Sequence, residues 1–260
     1  MTIKEKTGLV FIGFLILGNF FVWRELLGFL DRSLKVVYFD IGQGDAIFVE
    51  TPQKHQVLID GGPDSAVLGK LSSSMPFWDR TIDLIILTHP HSDHLAGLIN
   101  VLERYRVKNI LWTGVLYQSD FFPKWQQVIE KGQAKIYIAQ SGQNVITGSA
   151  VFEILHPSEN FEQKRVLDID NTSISAKLVF GGTSFLFTGD AYKEVELALA
   201  NEFGEKLRST VLKAGHHGSR TSSAEQFVAQ VSPEIAVISA GKNNRYNHPH
   251  QEVLDTLAKY

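Results

Sequence analysis

The chain has 260 residues, 44% of them hydrophobic, with nine histidines and no cysteine. Without cysteine there is no disulfide framework, thiolate metal site or thiol nucleophile, so any metal must be held by His, Asp or Glu. The balance of 25 basic against 28 acidic residues, net −3, excludes a global positive field that recruits nucleic acid, and the composition excludes a disordered or collagen-like chain.

The uncharged run GLVFIGFLILGNFFVW occupies residues 8–23, and after Arg24 and Glu25 the apolar sequence resumes over 26–30. It is apolar on every face, whereas a helix packed in a soluble core keeps a polar stripe. The run predicts a membrane-spanning helix extending to Leu30, with Arg24 and Glu25 snorkelling at the outer interface. No small-residue cleavage pattern follows it, so residues 1–33 read as an uncleaved signal anchor. Lys4 and Lys6 then stay in the cytoplasm, and everything after Asp31 is extracytoplasmic.

Residues 34–260 read as one layered α/β domain. Strands are predicted over 35–40, 46–50 and 56–60, joined by short loops with Gly42, Gly44 and Pro52 as in antiparallel hairpins. IDLIILT (82–88) is almost entirely apolar, as in a strand covered on both faces. Residues 95–105 carry apolar positions at helical spacing. SISAKLVF and TSFLFTGD flank Gly181 and Gly182, which predict a hairpin turn. A helix over 192–203, a strand over 210–213, a helix over 224–230, a strand over 235–239 and a helix from Gln251 complete the chain. The sequence stops inside that last helix, where a further strand is expected, so a truncated C-terminus is the expectation.

The strongest chemical signal is His89-Pro90-His91-Ser92-Asp93-His94, between the buried strand and the helix that follows. Loops at the carboxyl ends of such strands are where α/β proteins place ligands. Three imidazoles and a carboxylate within six residues suit a transition-metal site. The other reading is a surface turn that happens to contain histidines.

His-x-His-x-Asp-His, with Leu58-Ile59-Asp60-Gly61-Gly62, Phe187-Thr188-Gly189-Asp190, His216 and His248 following in order, resembles the metallo-β-lactamase superfamily. FDIGQGDAIFVE, LTHPHSDHLAGL, VLKAGHHGS and ISAGKNNRYNHPH are more specifically similar to the extracytoplasmic hydrolase domain of the ComEC family of competence DNA-uptake proteins. The resemblance covers roughly 35–260. It implies a metallo-β-lactamase αββα sandwich, here preceded by a single N-terminal transmembrane anchor helix, and two adjacent divalent metal ions, Zn or Mn. His89 and His91 would face the first metal, Asp93, His94 and His248 the second, and Asp190 would bridge them. Many superfamily members have a further first-metal His shortly before the bridging Asp, where this chain reads Asp170-Asn171-Thr172-Ser173. His216 is the favoured substitute, with His156 as the other candidate, and a site richer in oxygen tilts towards Mn.

Asp60 is expected behind a ligand His as its orienting partner. Asp93 and His217 are the candidate catalytic groups, His217 as a proton donor to the leaving oxygen. Ser219, Lys213, Lys242 and Arg245 are candidates for substrate contact, the three cations forming a local basic patch. The expected function is a membrane-tethered, extracytoplasmic two-metal phosphodiesterase, a nuclease on single-stranded DNA linked to uptake and competence. One alternative is an esterase for phosphocholine or another cell-wall phosphodiester. Another is a low-turnover, metal-stabilised binding module that partners a separate DNA-uptake channel subunit.

Overall fold

The computed structural model describes residues 3–30 and 33–260, and the side chains of its first helix from residue 6 to 23. Two compact units emerge, residues 1–34 and 35–260. The first is helix α1 (Ile3–Leu30). Its stretch Lys6–Trp23 is the one candidate membrane span among the described residues, by length and composition. The side chains over 6–23 are exposed throughout. The side chains of Lys4, Arg24 and Glu25, and residues Asp31 and Arg32, on which the orientation rests, lie outside the described residues.

The second unit begins with a sheet in the order β1 (Lys35–Tyr38), β2 (Ile47–Glu50), β3 (Gln56–Ile59), β4 (Thr81–Ile86), β5 (Arg106–Trp112), β6 (Lys135–Ile138). The first three strands pair antiparallel through short loops, and β3 to β6 pair parallel. Parallel neighbours need long crossovers, and here helices α2 (Ala66–Ser74), α3 (Ser92–Arg104) and α4 (Phe122–Lys131) supply them. A second sheet contains β7 (Asn144–Thr147), β8 (Ala150–His156), β9 (Ser175–Phe180), β10 (Thr183–Phe187), β11 (Val211–Lys213) and β12 (Ile235–Val237). Phe180 faces Thr183 across the β9–β10 hairpin, so Gly181 and Gly182 form its turn. Helices α5 (Lys193–Phe203) and α6 (Glu225–Val231) connect β10, β11 and β12, which run parallel, and α7 (Gln251–Leu257) follows.

Burial explains the layering. Val67, Leu71, Leu95, Leu98 and Trp125 from the first three of these helices pack with Phe48, Leu58, Ile85 and Ile110 of the first sheet. Val195, Leu199, Phe227 and Val228 of α5 and α6 pack with Leu186 and Leu212 of the second. Each such fully buried side chain stabilises the fold by about 1.5–3 kcal/mol. Tyr38 and Phe187 meet between the sheets with ring centroids 6.4 Å apart. The result is the αββα sandwich expected from the motifs.

The strand registers bring the chemistry to one edge. Ile59 pairs with Ile86 and Leu186 with Leu212, so Asp60, the 88–94 segment, Asp190 and the 214–219 turn leave the sheets at the same end. There α3 meets the end of β3 without side chains between. A Cβ at Gly97 would lie 1.8 Å from the carbonyl oxygen of Gly61. Gly61 N–H donates to the His94 carbonyl at 2.8 Å and Gly97 N–H to that of Gly62 at 2.9 Å.

Candidate metal centre

The six-residue motif is split between a strand end and a helix start. His91 precedes the first turn of α3 in extended conformation, and Asp93 lies within that turn. This geometry turns His89 and His91 towards each other, with Nε2 of the first 3.1 Å from Nδ1 of the second. The carboxylate of Asp170 completes a group with them: its Oδ1 lies 2.9 Å from His91 Nδ1 and 3.3 Å from His89 Nε2. Tyr192 donates its hydroxyl to the other oxygen at 2.6 Å.

A second group adjoins the first. His94 Nε2 and His217 Nε2 lie 3.3 Å apart and each lies 3.2 Å from Asp190 Oδ2. Asp93 Oδ2 is 3.4 Å from His217 Nε2. Asp190 also reaches the first group, with Oδ2 3.9 Å from both His89 Nε2 and His216 Nε2. It therefore stands between two sets of nitrogen and oxygen donors.

Behind the donors lies a supporting layer. Asp60 accepts from His94 Nδ1 at 2.8 Å and is itself held by Thr88, whose N–H and hydroxyl donate at 2.8 and 2.7 Å. That fixes the His94 tautomer with Nε2 presented forwards. His217 Nδ1 likewise donates to the Ser239 carbonyl at 2.9 Å. Asp45 backs both rings, 3.6 Å from His217 Nδ1, and is ion-paired with the buried amine of Lys213. Lys213 also donates to the Gly189 carbonyl at 3.1 Å and lies 3.6 Å from Asp190 Oδ1.

The late histidines separate through backbone geometry. His216 and His217 both adopt left-handed conformations, φ 45° and 56°, which cost energy for residues with a Cβ and recur at functional sites. The turn sends His217 into the buried group, 1% exposed, and leaves His216 22% exposed at the pocket. His216 Nδ1 meets Thr221 Oγ1 at 2.8 Å, and the Thr221 hydroxyl donates to Ser219. In that arrangement Nδ1 is the donor, so Nε2 presents a lone pair towards Asp190.

The electrostatics fit ionised carboxylates. Burial opposes the charge on Asp190, but His217 and His94 hold its pKa well below the usual range. Burial also opposes ionisation of Asp170, and hydrogen bonds from His89 and His91 lower it. Burial and the neighbouring His216 and His217 bring His248 down to about 4, so it is neutral at neutral pH. Among the described residues, the buried oxygen Asp190 Oδ1 and the nitrogen His248 Nδ1 have no hydrogen-bond partner. Unpaired buried donor atoms facing imidazole nitrogens are a costly arrangement that a divalent cation would satisfy. The two groups therefore fit metal ions, and they open on a pocket of about 310 Å³ that includes Asp93, His216, His217, Tyr246 and His248.

Four sequence expectations change. His217, rather than His248, joins Asp93, His94 and Asp190, because the left-handed turn drives it inwards; His248 lines the pocket, its ring centroid 6.4 Å from that of His217. Asp170 lies against His91 and His89 at 2.9 and 3.3 Å, on the side for which His216 and His156 were candidates. His216 still reaches that side, grouped with Asp170 and Asp190, whereas His156 points away and bonds the Asn171 carbonyl at 2.9 Å. Lys213 is 1% exposed, so it belongs to no exposed patch; only Lys242 and Arg245 are exposed. Ser219 is buried and bonded to Thr221. Asp45, Asp170 and Tyr192 escaped the sequence reading; each stands in an ordinary polar loop, with only the Asp170-Asn171-Thr172-Ser173 gap in the motif order to point at one of them.

The family model for the metallo-β-lactamase superfamily matches residues 39–242. The chain belongs to that superfamily. Among curated relatives of the chain, ComE operon protein 3 of Bacillus subtilis is 33% identical over 254 residues, covering 89% of this chain and 31% of that protein. Competence protein ComA of Neisseria gonorrhoeae is 32% identical, covering 87% of this chain and 30% of that protein. The chain thus spans about a third of the length of these relatives. Exodeoxyribonuclease WalJ of Streptococcus pneumoniae is 22% identical, covering 83% of this chain and 85% of that protein. Among solved structures, the metallo-β-lactamase fold protein YhfI from Bacillus subtilis superposes with a TM-score of 0.57 at 15% identity, over 87% of this chain and 94% of that one. That likeness concerns the fold alone.

Proposed function

We propose that this chain is a two-metal phosphodiesterase that cuts DNA, with residues 1–33 as a membrane anchor and 34–260 as an extracytoplasmic hydrolase domain. The observation that supports the reading is Asp190, whose Oδ2 lies 3.2 Å from His94 and His217 on one side and 3.9 Å from His89 and His216 on the other, with Asp93 3.4 Å from His217. A carboxylate flanked by two donor sets suits a pair of divalent ions. The names of the competence relatives and of the exodeoxyribonuclease support DNA as the substrate class.

His89, His91, Asp170 and His216 would hold one ion, Asp93, His94 and His217 the other, and Asp190 both. Divalent ions there lower the pKa of water and neutralise charge on a phosphoryl group. The third ligand on the first side being a carboxylate favours Mn over Zn. Asp93 is the accessible carboxylate of the set, 28% exposed against 3% for Asp190, so it can orient an attacking water at the pocket. His248, neutral and with Nδ1 unpaired, offers a hydrogen-bonding group to the phosphodiester. Arg245, whose guanidinium lies 4.8 Å over the ring of the pocket residue Tyr246, would attract the phosphodiester backbone.

The test is cleavage of labelled single- and double-stranded DNA by the full chain in detergent, with Mn or Zn added. Wild-type cleavage that Asp190→Asn abolishes is the expected result. Cleavage unaffected by that change overturns the two-metal assignment. Turnover of a phosphocholine ester without DNA cleavage moves the substrate to the esterase alternative, and metal binding with neither activity favours a binding module. A reporter fused after Asp31 checks the orientation; activity of that reporter in the cytoplasm overturns the extracytoplasmic placement.

A further inference from the structure

The end of the domain opposite the metal centre carries an unusual turn. Asp79 N–H donates to the Pro76 carbonyl at 2.9 Å, which places Phe77 and Trp78 at the two central positions of a tight turn. Such positions ordinarily take Gly, Asn, Asp or Ser. Here the two aromatics are 79% and 62% exposed, packed edge to face at 4.8 Å.

The turn is braced. Asp79 accepts from Gln56 Nε2 at 2.8 Å and from Thr81 N–H at 3.0 Å, so the aromatics are held out at the start of β4. Basic groups surround the same edge. Arg106 lies beside Arg80, its N–H donating to the Arg80 carbonyl at 2.7 Å, while the Arg80 guanidinium donates to the Tyr105 hydroxyl at 3.0 Å. Arg104 ends α3 there, and Lys35 reaches the Ser74 carbonyl at 3.4 Å, just ahead of the turn. Aromatic side chains flanked by cations match the interfacial zone of a lipid bilayer, where amphipathic rings sit at headgroup level and anionic lipids attract Lys and Arg.

We propose that Phe77 and Trp78 insert into the interface of a lipid bilayer, with Lys35, Arg104 and Arg106 on its headgroups. This rests on the reading of α1 as a membrane span. The docking would orient the domain, because the metal centre lies beyond the opposite end of β4. The six residues of β4 (Thr81–Ile86) at about 3.3 Å each set the pocket roughly 20 Å further from the lipid.

The absence of native cysteine allows a direct test with single spin labels on the full chain in vesicles of phosphatidylcholine and phosphatidylglycerol. Labels are placed through Trp78→Cys, Leu167→Cys near the metal centre, and Leu15→Cys within α1. Collisions with lipid-soluble oxygen and with a water-soluble nickel chelate are compared. The expected oxygen-to-nickel ratio at 78 is severalfold above that at 167 and below that at 15. Equal, water-like ratios at 78 and 167 with a lipid-like value at 15 overturn the docking and leave the anchor intact. A water-like value at 15 overturns the membrane reading and the docking with it. Shielding of 78 from both reagents indicates contact with a second copy of the chain and also overturns it.

Discussion

Asp170 sets Oδ1 2.9 Å from Nδ1 of His91, so a carboxylate completes the group that His89 and His91 begin. Its orientation is secured by the Tyr192 hydroxyl on the other oxygen. Asp170→Ala is expected to lower bound metal from two ions to one, measured by elemental analysis of the purified chain. Asp170→His should keep two ions and shift preference from Mn towards Zn. Full metal content in the alanine variant would remove Asp170 from the site.

Asp60 acts through His94, which it meets at 2.8 Å from behind. Asp60→Asn keeps the shape and removes the charge that makes the ring a stronger donor. Metal affinity is expected to fall roughly 10- to 100-fold, read by competition with a chelator, while the folded far-ultraviolet spectrum is retained.

Lys213 and Asp45 form an ion pair in which both side chains are almost wholly buried, 1% and 2% exposed. Lys213→Met leaves the carboxylate without its partner, and breaking such a pair costs about 3–5 kcal/mol. Chemical denaturation is the measurement. Adding Asp45→Asn to Lys213→Met should recover part of the loss, because no buried charge is then unmatched.

Glu196 supplies a pH dependence of stability. Fully buried, it accepts from the backbone N–H groups of Ser223 and Ala224 at 2.9 and 2.7 Å. Burial nonetheless raises its pKa from 4.5 to about 7. Between those values the folded chain keeps a proton that the unfolded chain releases, so stability falls as pH rises through this window and levels off above it. The span is about 3 kcal/mol at most. Glu196→Gln should flatten that part of the profile, checked by urea unfolding at about pH 5 and about pH 8.

The fold and half of the centre were legible because their residues are contiguous. Four donors in six positions, an apolar strand before them and a helical pattern after them define both a site and its place in an α/β sandwich. Asp170 was not legible as a donor. It lies in a polar run with Asp168, and only the single turn at 170–172 and the Tyr192 bond distinguish the two. Nor could the neighbours His216 and His217 be assigned, since their opposite directions come from left-handed backbone that no residue type announces. Lys213 reads as a surface charge, but its strand VLK is buried throughout. The stretch holding β5, α4 and β6 gave no expectation, although Phe122, Trp125, Val128 and Ile129 follow helical spacing.

The contact between Gly61 and Gly97 carries a consequence for how accurately metal can be held. Gly61 N–H is bonded to the carbonyl of His94 itself, so the height of α3 above β3 sets the position of that imidazole. Side chains interposed there would transmit their rotamer changes to the ring, whereas main chain against main chain has no such freedom. Metal–ligand distances tolerate roughly ±0.2 Å, and even one methyl group at position 97 exceeds that clearance. The dimensional tolerance of the centre is thus machined into two residues that have no side chain and touch no metal.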